Sequence, residues 1–342
     1  MKILYGVQAT GNGHITRART MAVELHNAGI QVDYLFTGRP ADKLFNMEVF
    51  GDYRCLPGLT FTTQAGEVQY IKTLFNNNLL SFIQDVLSLD LSAYELVITD
   101  FEPISAWAAR LKNKTCIGIG HQYAFRYDIP KAGGNPIAHW ILKSFAPSQR
   151  SLGLHWHHFN NPILPPMTEP VDSTADYQQN KILVYLPFDE ITDVMHWLRP
   201  VEEYEFYVYC DIRIPQDENQ IHLRPFSRQG FLDDLASCSG VISNAGFELM
   251  SEAIQFGKKI LVKPLKGQME QISNARALQE LGYGEVIDSF QADPLLAWLR
   301  KAKPLPRPYP NVAAAIVQWI RSGMQEDEAS LSRQLWAQAN AA

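Results

Sequence analysis

Short unbroken apolar runs alternate along this chain with stretches whose apolar residues recur three and four apart. Residues 2–8 (KILYGVQ) read as a strand buried on both faces. A glycine loop follows at Ala9–Gly13. Ile15, Ala18, Met21, Ala22 and Leu25 then recur at helical spacing, and Gly29 stands where a helix would close. Residues 30–36 (IQVDYLF) predict a second strand and 95–99 (ELVIT) a third. A helix (ISAWAARL) begins near Pro103, and 115–119 (TCIGI) predict another strand. A second series starts after residue 180. KILVYLP, YEFYVYC, VISN and KILVKP read as strands, and ITDVMHWLRPV, GFLDDLASC, GFELMSEAIQFG and QMEQISNARALQELG as helices. Strands alternating with helices predict parallel, doubly wound α/β sheets whose functional loops lie at the carboxyl ends of the strands.

Two such series suit a chain of 342 residues, because a domain averages about 150. Residues 160–180 hold four prolines and separate them. The expected division is 1–165, 166–311, and a C-terminal helix (VAAAIVQWI) with its tail at 312–342. That last segment either frays or packs back on the first domain.

Composition narrows the class. Apolar residues make up 46% and charged ones 19%, as in globular proteins. A net charge of −6 argues against a nucleic-acid partner. Cys55, Cys116, Cys210 and Cys238 lie far apart, so neither a zinc site nor a disulfide framework is expected. No leader sequence and no apolar run near ~18 residues is found, which predicts a cytoplasmic protein. Residues 1–165 carry 14 basic and 12 acidic residues; the remainder carries 16 and 24. Seven of nine histidines also fall in the first half: His14, His26, His121, His139, His155, His157 and His158. Chance and an acidic C-terminal half account for this; so would an anionic or membrane-surface partner of the first half.

Three places could carry chemistry. The first is Gly11, Asn12, Gly13 and His14, between a strand and a helix. A dinucleotide loop is the obvious reading and fails twice. Its third glycine would fall at Thr16, and the second strand ends Thr37-Gly38-Arg39 without an acid for a ribose. What remains is a glycine turn presenting His14 at the positive end of a helix, where the neutral imidazole is favoured and can act as a base. A turn-capping histidine is the plain alternative. The second place is Thr99-Asp100-Phe101-Glu102, at a strand end of the same sheet. Either acid could orient His14 as in a catalytic relay, or simply cap the helix that begins at Pro103. His121 and Gln122 end the next strand and point to the same edge.

The third place is Ser243, Asn244, Ala245, Gly246, Glu248 and Glu252, followed by Glu270, Gln271 and Asn274. A strand ends at Asn244, and Ala245-Gly246 admit a phosphate to the helix start. Glu248 and Glu252 are four apart and share a face. Glu252 has the depth to hold a ribose, and the later polar residues could bind sugar hydroxyls. An acid pair at this spacing is more often a solvated helix face.

Residues 243–284 resemble the donor-binding segment of GT-B glycosyltransferases, and YGVQATGNGHITRARTMAVEL resembles the start of their acceptor domain. The similarity is to the peptidoglycan N-acetylglucosaminyl transferase type and, more distantly, to UDP-glucosyl transferases. A set of predicted glycosyltransferases with a G-x-G-H-x-x-R start is also similar. The resemblance implies two Rossmann-like domains with a cleft between them and transfer of a sugar from a nucleotide-sugar, UDP-linked, to an acceptor hydroxyl. It implies metal-independent chemistry with inversion and no cofactor beyond the co-substrate. By the same resemblance Gly246 lies against the diphosphate, Glu252 holds the ribose, and Glu270, Gln271 and Asn274 meet the sugar. His14 is the base, Asp100 its partner, and His121 and Gln122 help to form the acceptor site.

Three departures stand out. YLPFD at 185–189 replaces a glycine-rich phosphate loop, Lys258 replaces a proline, and no convincing D-x-D occurs. Rival readings are a nucleotide-sugar epimerase or hydrolase on the same fold, and a non-catalytic nucleotide-sugar binding module. The acceptor stays open between lipid-linked and glycan classes. Residues 139–159 mix Trp, Phe, Lys, Arg and His in a way that suits either a membrane interface or a core helix with a histidine-rich loop.

Overall fold

The computed structural model describes residues 1–60, 78–133, 142–169 and 176–341, with the strand residues 63–64 and 67–68. His139 and part of the expected linker, residues 170–175, lie outside them.

The first sheet is built from β1 (Lys2–Gln8), β2 (Gln31–Thr37), β3 (Tyr53–Leu56), β6 (Leu96–Asp100), β7 (Cys116–Gly120), β8 (Arg150–Leu154) and β9 (Ile163–Leu164). The short β4 (Thr63–Gln64) and β5 (Glu67–Val68) pair with each other. Its order is β3-β2-β1-β6-β7-β8-β9, all parallel. The second sheet holds β10 (Lys181–Tyr185), β11 (Glu205–Tyr209), β12 (Gln216–Glu218), β13 (Ile221–Arg224), β14 (Gly240–Ser243), β15 (Lys259–Val262) and β16 (Glu285–Val286). Its order is β12-β13-β11-β10-β14-β15-β16, with β12 alone antiparallel. The helices are α1 (Asn12–Asn27), α2 (Leu79–Ser88), α3 (Pro103–Leu111), α4 (His121–Ala124), α5 (Ile191–Leu198), α6 (Arg228–Ser237), α7 (Phe247–Gln255), α8 (Met269–Glu280), α9 (Ala292–Leu299), α10 (Val312–Arg321) and α11 (Glu328–Ala341).

Each sheet reverses its strand order at one point, between β1 and β6 and between β10 and β14. There the connections leave to opposite faces and open a crevice at the carboxyl ends. Val7 is in register with Asp100 at the first of these points, and Tyr185 with Ser243 at the second.

β1 explains why such strands read as unbroken apolar runs. Ile3, Tyr5 and Val7 pack with Ile15, Ala18, Met21 and Leu25 of α1, while Leu4 packs on the other face with Ile104 and Ala108 of α3. Both faces of the sheet are therefore core. Each such side chain contributes about 1.5–3 kcal/mol on burial.

The C-terminal tail does not fray. α10 joins the α1 side of the core through Ile316, Val317 and Ile320, and Asn311 Nδ2 donates to Glu24 Oε1 at 2.7 Å. α11 runs along β9, with Leu331 and Leu335 buried. Ser332 Oγ and Trp336 Nε1 both donate to the Ile163 carbonyl at 2.7 Å. Leu331 and Leu335 stand four apart, which makes the apolar stripe that holds the helix down. β9 itself lies inside the proline-rich stretch 160–180, too short to show any periodicity.

The histidine-rich part of 139–159 faces protein. Trp156 is buried and donates to Ser251 Oγ at 2.9 Å, and the His157 and His158 rings lie against Trp336. Among the described residues no helix is long and apolar enough to cross a membrane. Lys258, in place of a proline, is buried and donates to the carbonyls of Ala236 and Cys238 at 2.6 and 2.7 Å, closing the end of α6.

Candidate functional site

The carboxyl ends of the two sheets meet. Asn12 Nδ2 reaches Tyr185 Oη at 3.4 Å, Arg17 bonds Glu248, His121 bonds Asn274 at 2.7 Å, and Gln122 Nε2 donates to Glu270 at 3.0 Å. Each pair joins the first half of the chain to the second.

α1 begins behind Gly11, which offers no side chain to cap it. Gly13 is needed for close approach, since a Cβ there would stand 2.9 Å from Glu248 Cγ. One residue on, His14 Nδ1 lies 2.6 Å from Asp100 Oδ1. Arg17, three residues further and on the same helix face, grips Asp100 with both sides of its fork. Nε donates to Oδ2 at 2.7 Å and Nη2 to Oδ1 at 2.5 Å. Nη1 is left to bond Glu248.

This arrangement assigns the tautomer of His14. Nη2 and Nδ1 are 3.0 Å apart, the spacing of two donors that share one acceptor. Were Nδ1 bare, its lone pair would face Oδ1 at 2.6 Å with no proton between them. The proton therefore sits on Nδ1. Nε2 makes no hydrogen bond among the described residues. Burial by itself would raise the Asp100 carboxyl, but Arg17 and His14 outweigh it and hold it below the usual carboxylate range.

Glu248 is in the opposite situation. Burial pushes its carboxyl up to about 8, against the pull of Arg17 and with help from Asp100 and Glu252. Arg17 keeps its charge at every accessible pH, so Glu248 is the partner that titrates. A raised carboxyl stabilises the fold only while protonated. That contribution is whole below its ordinary value of 4.5 and is lost as the pH rises to about 8. Glu248→Gln is expected to match the parent protein near pH 4 and to exceed its unfolding free energy near pH 8 by about 1–3 kcal/mol. Denaturant titrations of both proteins at the two pH values check this, and parallel pH dependences would contradict it.

Glu102 is a cap and not part of the cleft. It is fully buried and accepts from the backbone N–H of Ile104 at 2.7 Å and of Ser105 at 2.6 Å, with Thr37 Oγ1 at 3.1 Å. Of the two acids in the 99–102 segment, Asp100 alone turns toward His14. Phe101 between them has φ 53°, a left-handed turn that sends the two side chains apart.

His121 is withdrawn from the cleft. Its exposure is zero, Nδ1 lies 2.8 Å from the Leu154 carbonyl, Nε2 is on Asn274 Oδ1, and the ring stacks on Phe247 at 3.9 Å. Burial lowers its affinity for a proton. It holds Asn274, whose Nδ2 donates to the Ala245 carbonyl at 3.0 Å, and so braces the turn before α7.

That turn is the donor-side candidate. Ala245 has φ 54°, and a Cβ added at Gly246 would meet no atom within 4 Å, so space lies open in front of α7. Asn244, beside Ser243 at the end of β14, donates to Asp189 Oδ2 at 2.8 Å and to the Lys263 carbonyl at 2.9 Å. Asp189 is also bonded by Lys263 Nζ. The YLPFD segment thus supplies Tyr185 and Asp189 where a glycine loop was absent. Glu252 is buried, and its Oε1 accepts from Arg228 Nη2 at 3.0 Å; the same nitrogen is 3.0 Å from Glu169 Oε1. Burial raises the Glu252 carboxyl against the pull of Arg228. Gln271 is buried and accepts from the Leu265 N–H at 2.8 Å, while Glu270 is half-buried beside Gln122.

Four buried side-chain polar atoms lack a partner among the described residues: Tyr5 Oη, Gln122 Oε1, Arg228 Nε and Asn244 Oδ1. The last three belong to the groups just described. Buried polar atoms are almost always bonded, so each of these has bonding capacity left for water or a ligand.

Arg17, Arg228 and Asp189 were missed as site residues by the sequence. Arg17 alone carried a signal, standing three after His14 and closing the G-x-G-H-x-x-R run.

A family model described as glycosyl transferase family 1 matches residues 1–301. No curated protein matches the sequence. Solved structures match over nearly its whole length. The glycotransferase of kitacinnamycin is 14% identical with a TM-score of 0.63, over 98% of this chain and 97% of that one. SnogD from Streptomyces nogalater is 16% identical with a TM-score of 0.58, over 98% and 99%. UGT89C1 of Arabidopsis thaliana, complexed with UDP, is 13% identical with a TM-score of 0.58, over 99% and 99%. At such identities the likeness establishes the fold, which is GT-B.

Proposed function

This chain belongs to glycosyl transferase family 1, and on that premise we propose that it moves a sugar from a UDP-linked donor to an acceptor hydroxyl held by its first domain. One observation carries the reading. His14 Nδ1 is 2.6 Å from Asp100 on the inner side, Nε2 makes no hydrogen bond among the described residues, and the histidine stands at the crevice of the first sheet opposite the open turn at Gly246.

Nε2 takes the proton from the acceptor oxygen as that oxygen attacks the anomeric carbon. Asp100 accepts a hydrogen bond from Nδ1–H and stabilises the imidazolium that forms. Attack from the side opposite the leaving diphosphate inverts the anomeric centre. The N–H groups of the first turn of α7 receive the diphosphate charge, with the helix dipole behind them. Glu252 takes the ribose hydroxyls. Asn244, Gln122 and Arg228 offer their unpaired atoms to the donor. Holding both substrates between two domains supplies the remaining rate through orientation.

A calorimetric screen of the full chain against UDP, GDP, ADP, dTDP and NAD tests the donor assignment. UDP is expected to bind, and Glu252→Ala to weaken it by about 10–100-fold, the worth of hydrogen bonds to a charged group. A response to NAD alone, or UDP binding indifferent to Glu252, overturns the assignment. Release of UDP without a glycosylated product would favour a hydrolase. Tight UDP binding without turnover on any acceptor would favour a binding module.

A further inference from the structure

Asp100, Arg17 and Glu248 form one connected buried unit that crosses between the two halves of the chain. Arg17 is 2% exposed and Asp100 not at all. An arginine taken so far out of water needs its charge matched and its donors used. Here Nε and Nη2 hold both oxygens of Asp100, and Nη1 holds Glu248 in the first turn of α7, the helix whose start faces the open turn at Gly246. Glu248 touches neither His14 nor Asp100 by any hydrogen bond. Among the described residues its hydrogen-bonded link to them runs through the guanidinium.

We propose that Arg17 is a positioning residue that sets the tautomer of His14 by fixing Asp100, and that makes this setting depend on Glu248 of the donor helix. The proposal deepens the reading of His14 as the base and rests on it. The mechanism is geometric. Asp100 accepts two donors at one oxygen only because the guanidinium holds the carboxylate plane by its other oxygen as well. A planar fork does this and an ammonium does not. If Glu248 lets go, the fork is free to tilt about the Asp100 pair, and Oδ1 leaves the line to Nδ1. The base is thus correctly protonated when the first turn of α7 lies against α1, and loses that order when it does not. Gly13 serves the same contact, since it admits Glu248 to within van der Waals distance of α1.

Nitrogen-15 NMR of the nine histidine side chains in the full chain tests this, with the His14 signals identified by their absence in His14→Gln. In the parent protein the His14 signals should be those of a neutral ring with the proton on Nδ1. Arg17→Lys keeps the charge and loses the fork, and should lose Nδ1–H as the dominant form. Glu248→Met keeps the volume and removes the acceptor of Arg17 Nη1, and it is expected to shift the same signals, although residue 248 makes no hydrogen bond to ring or carboxylate. Unchanged His14 signals in either variant overturn the proposal, provided each variant melts cooperatively. Should Arg17→Lys not fold, Glu248→Met decides alone. UDP calorimetry on the same samples keeps the two readings apart. Loss of UDP binding in the parent protein would count against the donor assignment only, whereas unmoved histidine signals would count against the coupling only.

Discussion

Asp100→Asn is expected to lower the rate of sugar transfer by about 10²–10⁴-fold, the range of general-base catalysis, while UDP binding stays within about threefold of the parent value. The reason lies in the two ends of the carboxylate. Oδ1 accepts from His14 and Arg17 Nη2, and Oδ2 accepts from Arg17 Nε at 2.7 Å. An amide has one acceptor end. If its NH₂ faces His14, Nδ1 must give up its proton and Nε2 takes it, so the base points the wrong way. If its NH₂ faces Arg17 Nε, two donors meet where one bond was. Either orientation disables the pair without removing volume from the core. The rate is measured as UDP release in the presence of an accepted hydroxyl compound, with His14→Ala as the reference for loss of the base. Transfer at the parent rate in Asp100→Asn would mean that another group takes the proton.

Arg17→Ala is expected to cost about 3–5 kcal/mol of stability, more than the loss of either carboxylate it holds. Removing the guanidinium leaves Asp100 and Glu248 buried against each other with no cation between them. It also leaves a cavity where a side chain of 2% exposure stood. Replacing the whole unit at once should do far less harm. Arg17→Met combined with Asp100→Asn and Glu248→Gln removes both carboxyl groups along with the guanidinium, and most of the lost stability should return. Urea titrations with linear extrapolation give both numbers. A single-variant loss below about 1 kcal/mol would show that water reaches these carboxylates and that the unit is not a buried one.

Much of this arrangement was legible in the chain. The strand–loop–helix alternation implies two reversal points, and a reversal point implies a crevice at the carboxyl ends of its neighbouring strands. That logic places His14 beside Asp100, because one follows the first strand and the other ends its neighbour across the reversal. It also places Asn244 and Gly246 at the second crevice. The choice between Asp100 and Glu102 was not legible. Both stand before the same helix, and the positive φ of Phe101 decides which caps and which turns outward. His121 also ends a strand at the right edge, but its burial under Phe247 removes it from the cleft.

Glu248 and Glu252 show the same limit. Helical spacing puts them on one face and says nothing of what covers that face. One is covered by Arg17, the other by Arg228, which itself bridges to Glu169. The last helix repeats the lesson, because its Leu331 and Leu335 needed the edge of β9 to pack on.

What the sequence by itself determined is therefore local and periodic: which segments are strands and helices, where glycine opens a turn, and which strand ends must lie at a crevice. These follow from backbone sterics and from apolar spacing, both of which act over a few residues. Only the tertiary structure decided which buried charges share a partner. An Arg17–Glu248 bond spans a separation of 231 residues, and its energy comes from excluding water at a contact that neither segment can make alone. Protonation and hydrogen bonding in such a place depend on the whole set of neighbours at once, so the role of each carboxylate became readable only when the two domains stood against each other.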